Sequence, residues 1–178
     1  MLVYLIRHGK ADYKNLQKKD NCSLANLVPL SEEGIEQAKS LQPYIKQLSN
    51  AKIISSPYTR TLQTAYIASE RTDIVIEYDL HEWLPDDRFA INVEKISERN
   101  QYFKNHTQNV NYETKKEMQK RFSSIIEKYK NEETLIIFSH ARVISTFLES
   151  IGAGDIYLKN CQIAEIEYND MFNLKRIF

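Results

Sequence analysis

The chain has 178 residues, enough for one domain with a real hydrophobic core, and the whole of 1–178 is read as that domain. Its 24 Lys plus Arg balance 24 Asp plus Glu for a formal net charge of zero. That balance argues against a nucleic-acid binder or an anionic-membrane binder working through bulk charge. Cys22 and Cys161 stand far apart with no ligand-spaced partner, and no apolar run approaches a membrane span, so the expectation is a cytoplasmic protein with reduced thiols.

In chain order, LVYLI (2–6) is an apolar run too short for a signal-peptide core, and it passes directly into Arg7, His8 and Gly9. The segment 31–48 carries Ile35, Ala38, Leu41, Ile45 and Leu48 at a helical period. Ser31 suits its N-cap, Glu32 and Glu33 suit its first turn, and Pro43 predicts a kink or a split. AKIIS (51–55) reads as a second strand, followed by Ser56-Pro57 as an N-cap with proline at the first helical position of YTRTLQTAYIAS. DIVIEY (73–78) and TLIIFS (134–139) are two further strands. Met118, Phe122, Ile125, Ile126 and Tyr129 stripe one helix, and Val143, Ile144, Phe147, Leu148 and Ile151 stripe another that stops at Gly152. The tail from Gln162 alternates and turns at Asn169-Asp170, which predicts a closing hairpin.

The four apolar strands read as buried on both faces and are separated by helices. The expected fold is α/β: a three-layer α/β/α sandwich with a mainly parallel central sheet. In such sheets ligands bind beyond the carboxyl ends of the strands, and three of those ends carry polar residues of one kind. The first ends in Arg7-His8-Gly9, the second leads to Arg60 in the following helix, and the fourth ends in Ser139-His140. Two arginines and two histidines beside helix N-termini make an anion site, which a doubly charged phosphate fits best.

The same residues carry a resemblance. LIRHG, PLSEEGIEQA, SSPYTRTLQTA, DLHEW and FSHARVI resemble, in order, the motifs of the histidine phosphatase superfamily, the phosphoglycerate mutase-like proteins. YETKKEMQKRF is more faintly similar to the helix that precedes the family's last core strand. The resemblance implies that His8 attacks phosphorus and forms a phosphohistidine, while Arg7, Arg60 and His140 hold the phosphate. It implies no metal and no other cofactor, since fixed cations do that work. It also implies that Glu82 protonates the leaving group and then activates water, with Asp86 and Asp87 as backups. A carboxyl beside Trp83 could be kept protonated. A backbone carbonyl near Gly9 would fix the His8 tautomer, and Gly9 would serve a sharp turn or a close approach to phosphate.

Other residues receive blander readings. His81 and His106 are read as surface or packing residues, Glu113 and Arg121 as a structural pair, and Trp83 as a pocket wall or a loop anchor. Ala141 and Arg142 stand where many family members carry glycines, WLPDD replaces a glycine-rich stretch, and the 10–28 loop matches only vaguely. These departures bear on specificity. The function expected is a metal-independent phosphomonoesterase acting on a small phosphorylated substrate, with substrate and oligomeric state left open. A phosphoglycerate mutase, a protein phosphohistidine phosphatase and a non-catalytic phosphate-binding module are the alternatives.

Overall fold

A computed structural model describes residues 1–14, 25–83 and 113–178. Asp86, Asp87, His106, Cys22 and most of the 10–28 loop lie outside the described residues.

Six strands form one sheet: β1 (Leu2–Arg7), β2 (Lys52–Ser55), β3 (Val75–Ile76), β4 (Thr134–Ser139), β5 (Ile163–Asn169) and β6 (Met171–Ile177). Their spatial order is β3-β2-β4-β1-β5-β6. The first four run parallel, while β5 pairs antiparallel with β1 and β6 antiparallel with β5. The mainly parallel sheet and the closing hairpin are thus both present. Asp170 makes the hairpin turn with φ at +58°, a conformation that short polar side chains tolerate.

Two apolar layers cover the sheet. On one face Tyr4, Ile6, Ile53, Ile136 and Phe138 pack against α1 (Glu32–Ser40), α2 (Gln42–Ile45) and α3 (Thr59–Ser69). On the other, Val3, Leu5, Ile54, Leu135 and Ile137 meet α4 (Lys115–Lys128) and α5 (Ala141–Ser150). The alternation of β1 explains this, because successive side chains leave a strand on opposite faces. The α4 stripe delivers Met118, Phe122, Ile125 and Ile126 to the core, with the Phe122 ring centroid 4.9 Å from that of Phe147 in α5.

Local chemistry sets most boundaries. Ser31 caps α1 by accepting the Gly34 N–H at 3.1 Å. The helix breaks at Leu41, so Pro43 splits the segment and does not merely kink it. Thr114 and Glu117 form a reciprocal capping box at the start of α4. Two expectations fail. DIVIEY yields only the two-residue edge strand β3 with Ile76 exposed, since nothing among the described residues pairs on its outer side. And α3 begins at Thr59 with Tyr58 as N-cap, not at Pro57. The Ser56 N–H is still bonded to the Phe138 carbonyl at 3.0 Å, so the sheet holds the chain extended past the expected cap.

Candidate active site

The carboxyl ends of β1, β2 and β4 meet at one edge of the sheet. His8 follows β1 in register, its N–H bonded to the Ser139 carbonyl at 3.0 Å. The side chain of Asn160 donates to the His8 carbonyl at 2.8 Å, holding the residue from its other side. Thr64 of α3 accepts the Gly9 N–H at 3.0 Å and donates to the Arg60 carbonyl at 2.7 Å, tying the two motifs together. His8, Arg60 and His140 are all more than nine-tenths buried.

The hydrogen bonds assign both imidazole tautomers. His8 Nδ1 lies 2.6 Å from the Gly9 carbonyl, which can only accept, so the proton is on Nδ1. The lone pair on Nε2 accepts from Arg60 Nε at 3.1 Å. In His140 the order is reversed. Nδ1 faces Arg60 Nη2 at 3.2 Å, an obligatory donor, so Nδ1 carries the lone pair. The proton sits on Nε2 and is donated to Ser56 Oγ at 2.7 Å, with Thr61 Oγ1 at 3.4 Å beside it. One guanidinium thus faces two imidazole lone pairs, while the rings lie 5.2 Å apart edge to face. Tyr58 backs the cluster, its ring 4.8 Å from that of His140 and 4.9 Å from the Arg60 guanidinium carbon.

Both histidines are held well below the ordinary imidazole value, first by burial and then by the Arg60 cation. Arg7 adds to the effect at His8, whereas the Gly9 hydrogen bond opposes it. The cluster is therefore two neutral imidazoles around a fixed cation, a setting that favours an incoming anion. Arg7 flanks it, donating through Nη1 to the Leu158 carbonyl at 2.8 Å and lying 5.2 Å from the Tyr157 ring centroid.

Glu82 joins the cluster indirectly. His140 is the N-cap residue of α5, but its side chain makes no capping bond because it is committed to Ser56 and Arg60. The Glu82 carboxylate supplies the cap, accepting from Arg142 N at 3.4 Å and Val143 N at 3.3 Å as well as from Trp83 N at 2.9 Å. An acidic group over a helix N-terminus is favourable by both hydrogen bonding and dipole. Ser139 Oγ donates to the Leu80 carbonyl at 2.8 Å, and Arg121 bonds the Asp79 carbonyl, so the segment bearing Glu82 is anchored to β4 and α4. Arg121 also pairs with Glu113 through two nitrogens, the structural pair expected.

Among the remaining expectations, Trp83 anchors its loop: it is buried in the core and its indole N–H donates to the Glu113 carbonyl at 2.8 Å. His81 is a buried packing residue whose Nδ1–H donates to the Glu82 carbonyl at 2.7 Å. Cys161 is a free buried thiol pushed up to about 12 by burial. For Gly9 the structure shows a close approach of backbone to backbone. A Cβ there would lie 2.6 Å from the Gly34 carbonyl oxygen, and one on Gly34 would lie 2.1 Å from that of Lys10. Gly9 is required by the close approach of α1. Ser56, Thr64 and Asn160 were missed as supporting residues. The first two lie inside SSPYTRTLQTA and could have been noticed there, whereas nothing local marks Asn160.

A model of the histidine phosphatase superfamily (branch 1) matches residues 3–175. Across 167 residues, 90% of this chain and 82% of the relative, the sequence is 29% identical to PhoE of Bacillus subtilis, described as an uncharacterized phosphatase. Among solved structures, the alpha-ribazole phosphatase of Shigella flexneri superposes with a TM-score of 0.74 at 22% identity, covering 98% of this chain and 95% of that one. A mutant phosphoserine phosphatase from Entamoeba histolytica, in complex with phosphoserine, gives 0.73 at 20%, covering 99% and 95%. At these identities the two structures speak to the fold.

Proposed function

Because this chain belongs to the histidine phosphatase superfamily, we propose that it is a metal-independent phosphomonoesterase working through a phosphohistidine on His8. The observation that carries the reading is the buried Arg60 guanidinium facing the lone pairs of two neutral imidazoles at the ends of parallel strands.

The proposed sequence begins when a phosphate draws the donors of Arg60 onto its oxygens, with Arg7 and His140 as further partners. That frees His8 Nε2, whose lone pair is already directed because Nδ1–H is held by the Gly9 carbonyl. Nε2 bonds to phosphorus as the ester P–O bond breaks, and Arg7 and Arg60 stabilise charge on the equatorial oxygens. The leaving oxygen takes a proton from Glu82. Water then gives its proton back to Glu82 and attacks phosphorus, releasing inorganic phosphate and restoring His8. What supports Glu82 is its place beside His140 at the N-terminus of α5, where its hydrogen bonds favour the carboxylate form that the water-activating step uses. The reading takes 1–178 as one domain in a cytoplasmic setting.

The test is hydrolysis of 4-nitrophenyl phosphate in the presence of EDTA, with a rapid-quench search for acid-labile phosphate on the protein. Turnover and label should both vanish in His8→Ala. A requirement for an added divalent ion, or turnover that persists in the variant, overturns the mechanism.

A further inference from the structure

The segment between α5 and β5 reaches back over the site at three points. Leu158 offers its carbonyl to Arg7 Nη1 at 2.8 Å, Asn160 donates to the His8 carbonyl at 2.8 Å, and Tyr157 lays its ring beside two guanidiniums. The guanidinium carbon of Arg7 is 5.2 Å from the ring centroid, and that of Arg142 is 5.5 Å from it. Leu158 is fully buried, which anchors the chain at this point, whereas Tyr157 is 52% exposed. The ring that carries both cations therefore opens to solvent at the mouth of the cluster.

The two cations face different parts of a substrate. Arg7 directly precedes His8, and its Nε is buried with no hydrogen-bond partner among the described residues. A phosphate oxygen beside His8 would satisfy that donor. Arg142 is the second residue of α5, and its backbone N–H donates to the Glu82 carboxylate at 3.4 Å. The proposed acid must reach the leaving oxygen, so Arg142 stands on the side from which the alcohol departs.

Resting on that reading of His8 and Glu82, we propose that Arg142, seated on Tyr157, is a specificity-determining residue that binds a second anionic group on the alcohol portion of the substrate. The preferred substrate is then a compact phosphomonoester whose alcohol also bears a carboxylate or a further phosphate. A guanidinium suits this role because it is always charged and presents a planar fork of donors to either group. The contact with Tyr157 restricts the side chain in advance, so less freedom is lost when the anion arrives. Two guanidiniums on one ring repel each other, and an anion between them and solvent lowers that cost. The helix end itself does not compete for the anion, since the Glu82 carboxylate already takes the N–H groups of Arg142 and Val143.

The test compares esters that differ only at the far end of the alcohol: propyl phosphate, 3-phosphonooxypropanoate and propane-1,3-diol bisphosphate, each assayed by phosphate release with the full chain. In the parent protein, kcat/KM for at least one anionic ester should exceed that for propyl phosphate by about tenfold or more. In Arg142→Gln that ratio should fall toward one. Propyl phosphate, measured in the same preparation, serves as the internal reference, so a loss of folded protein cannot imitate the result. The anionic ester with the larger ratio identifies the second group as carboxylate or phosphate. A parent ratio near one for both anionic esters, or a preference that survives Arg142→Gln, overturns the proposal. No phosphate release from any of these esters or from 4-nitrophenyl phosphate instead defeats the phosphatase reading itself.

Discussion

Arg60 donates through Nε to the Nε2 lone pair of His8 at 3.1 Å, so the proposed nucleophile is engaged by the cation that would hold its substrate. Phosphate and His8 compete for the same guanidinium. Replacing Arg60 by alanine should lower kcat/KM by about 10²–10³-fold, the usual cost of one preorganised donor at a charged transition state. It should also raise the titration of both histidines, because the Arg60 cation depresses each. An NMR pH titration checks the second outcome independently of activity.

Substitution can separate the proposed acid role of Glu82 from its observed capping of α5. Glu82→Gln keeps an acceptor for the N-terminus of α5 but cannot deliver a proton. Turnover of alkyl phosphates should fall by about 10²-fold or more, while 4-nitrophenyl phosphate, whose leaving group hardly needs protonation, should lose much less. Equal losses on the two esters contradict the acid role. Glu82→Ala also removes the cap and should cost about 1 kcal/mol of stability in urea unfolding.

Gly34→Ala should destabilise the fold through a contact that no side chain can relieve. The new Cβ would meet the Lys10 carbonyl oxygen at 2.1 Å, and both partners are backbone. We expect about 1–3 kcal/mol or more from the strain. Activity should fall as well, since the displaced strand end carries the Gly9 carbonyl that holds His8 Nδ1. A urea midpoint within error of the parent protein would contradict the close approach of α1.

Stability should decline on the acid side of neutrality. His8, His81 and His140 all have folded-state values below 6.5, mainly through burial. The unfolded chain therefore binds more protons than the folded one once the pH falls below about 6.5. The stability is present in full above that pH and is lost progressively below it, by up to about 1.4 kcal/mol per pH unit for each histidine. Urea midpoints at pH 7.5 and 5.5 measure it. Flat midpoints over that interval would mean that the imidazoles already accept protons in the folded protein.

Much of this architecture was legible because it is local. The periodicity of 31–48, the Ser31 cap and the position of Pro43 all act within a few residues, and α1 and α2 follow. Strand ends at Arg7 and Ser139 could be read because an apolar run gives way abruptly to polar residues. Ser56 was misread because its decisive partner, His140, lies 84 positions away, and a serine before proline looks like a cap from the sequence. The contact that requires Gly9 is hidden in the same way: the atom that excludes a Cβ belongs to Gly34. The shortness of β3 reflects its place at the sheet edge, which the residues DIVIEY do not encode.

The placement of β1 between β4 and β5 also has a bearing on how the molecule is made. The backbone of His8 is held from one side by Ser139 and from the other by Asn160, 152 positions further along the chain. At a synthesis rate of about 5–20 residues per second, His8 leaves the ribosome on the order of ten to thirty seconds before its last support. Throughout that interval the backbone of His8 lacks the Asn160 hydrogen bond that holds its carbonyl in the folded protein. The hydrogen bond that completes its support must wait for the chain to return beside β1.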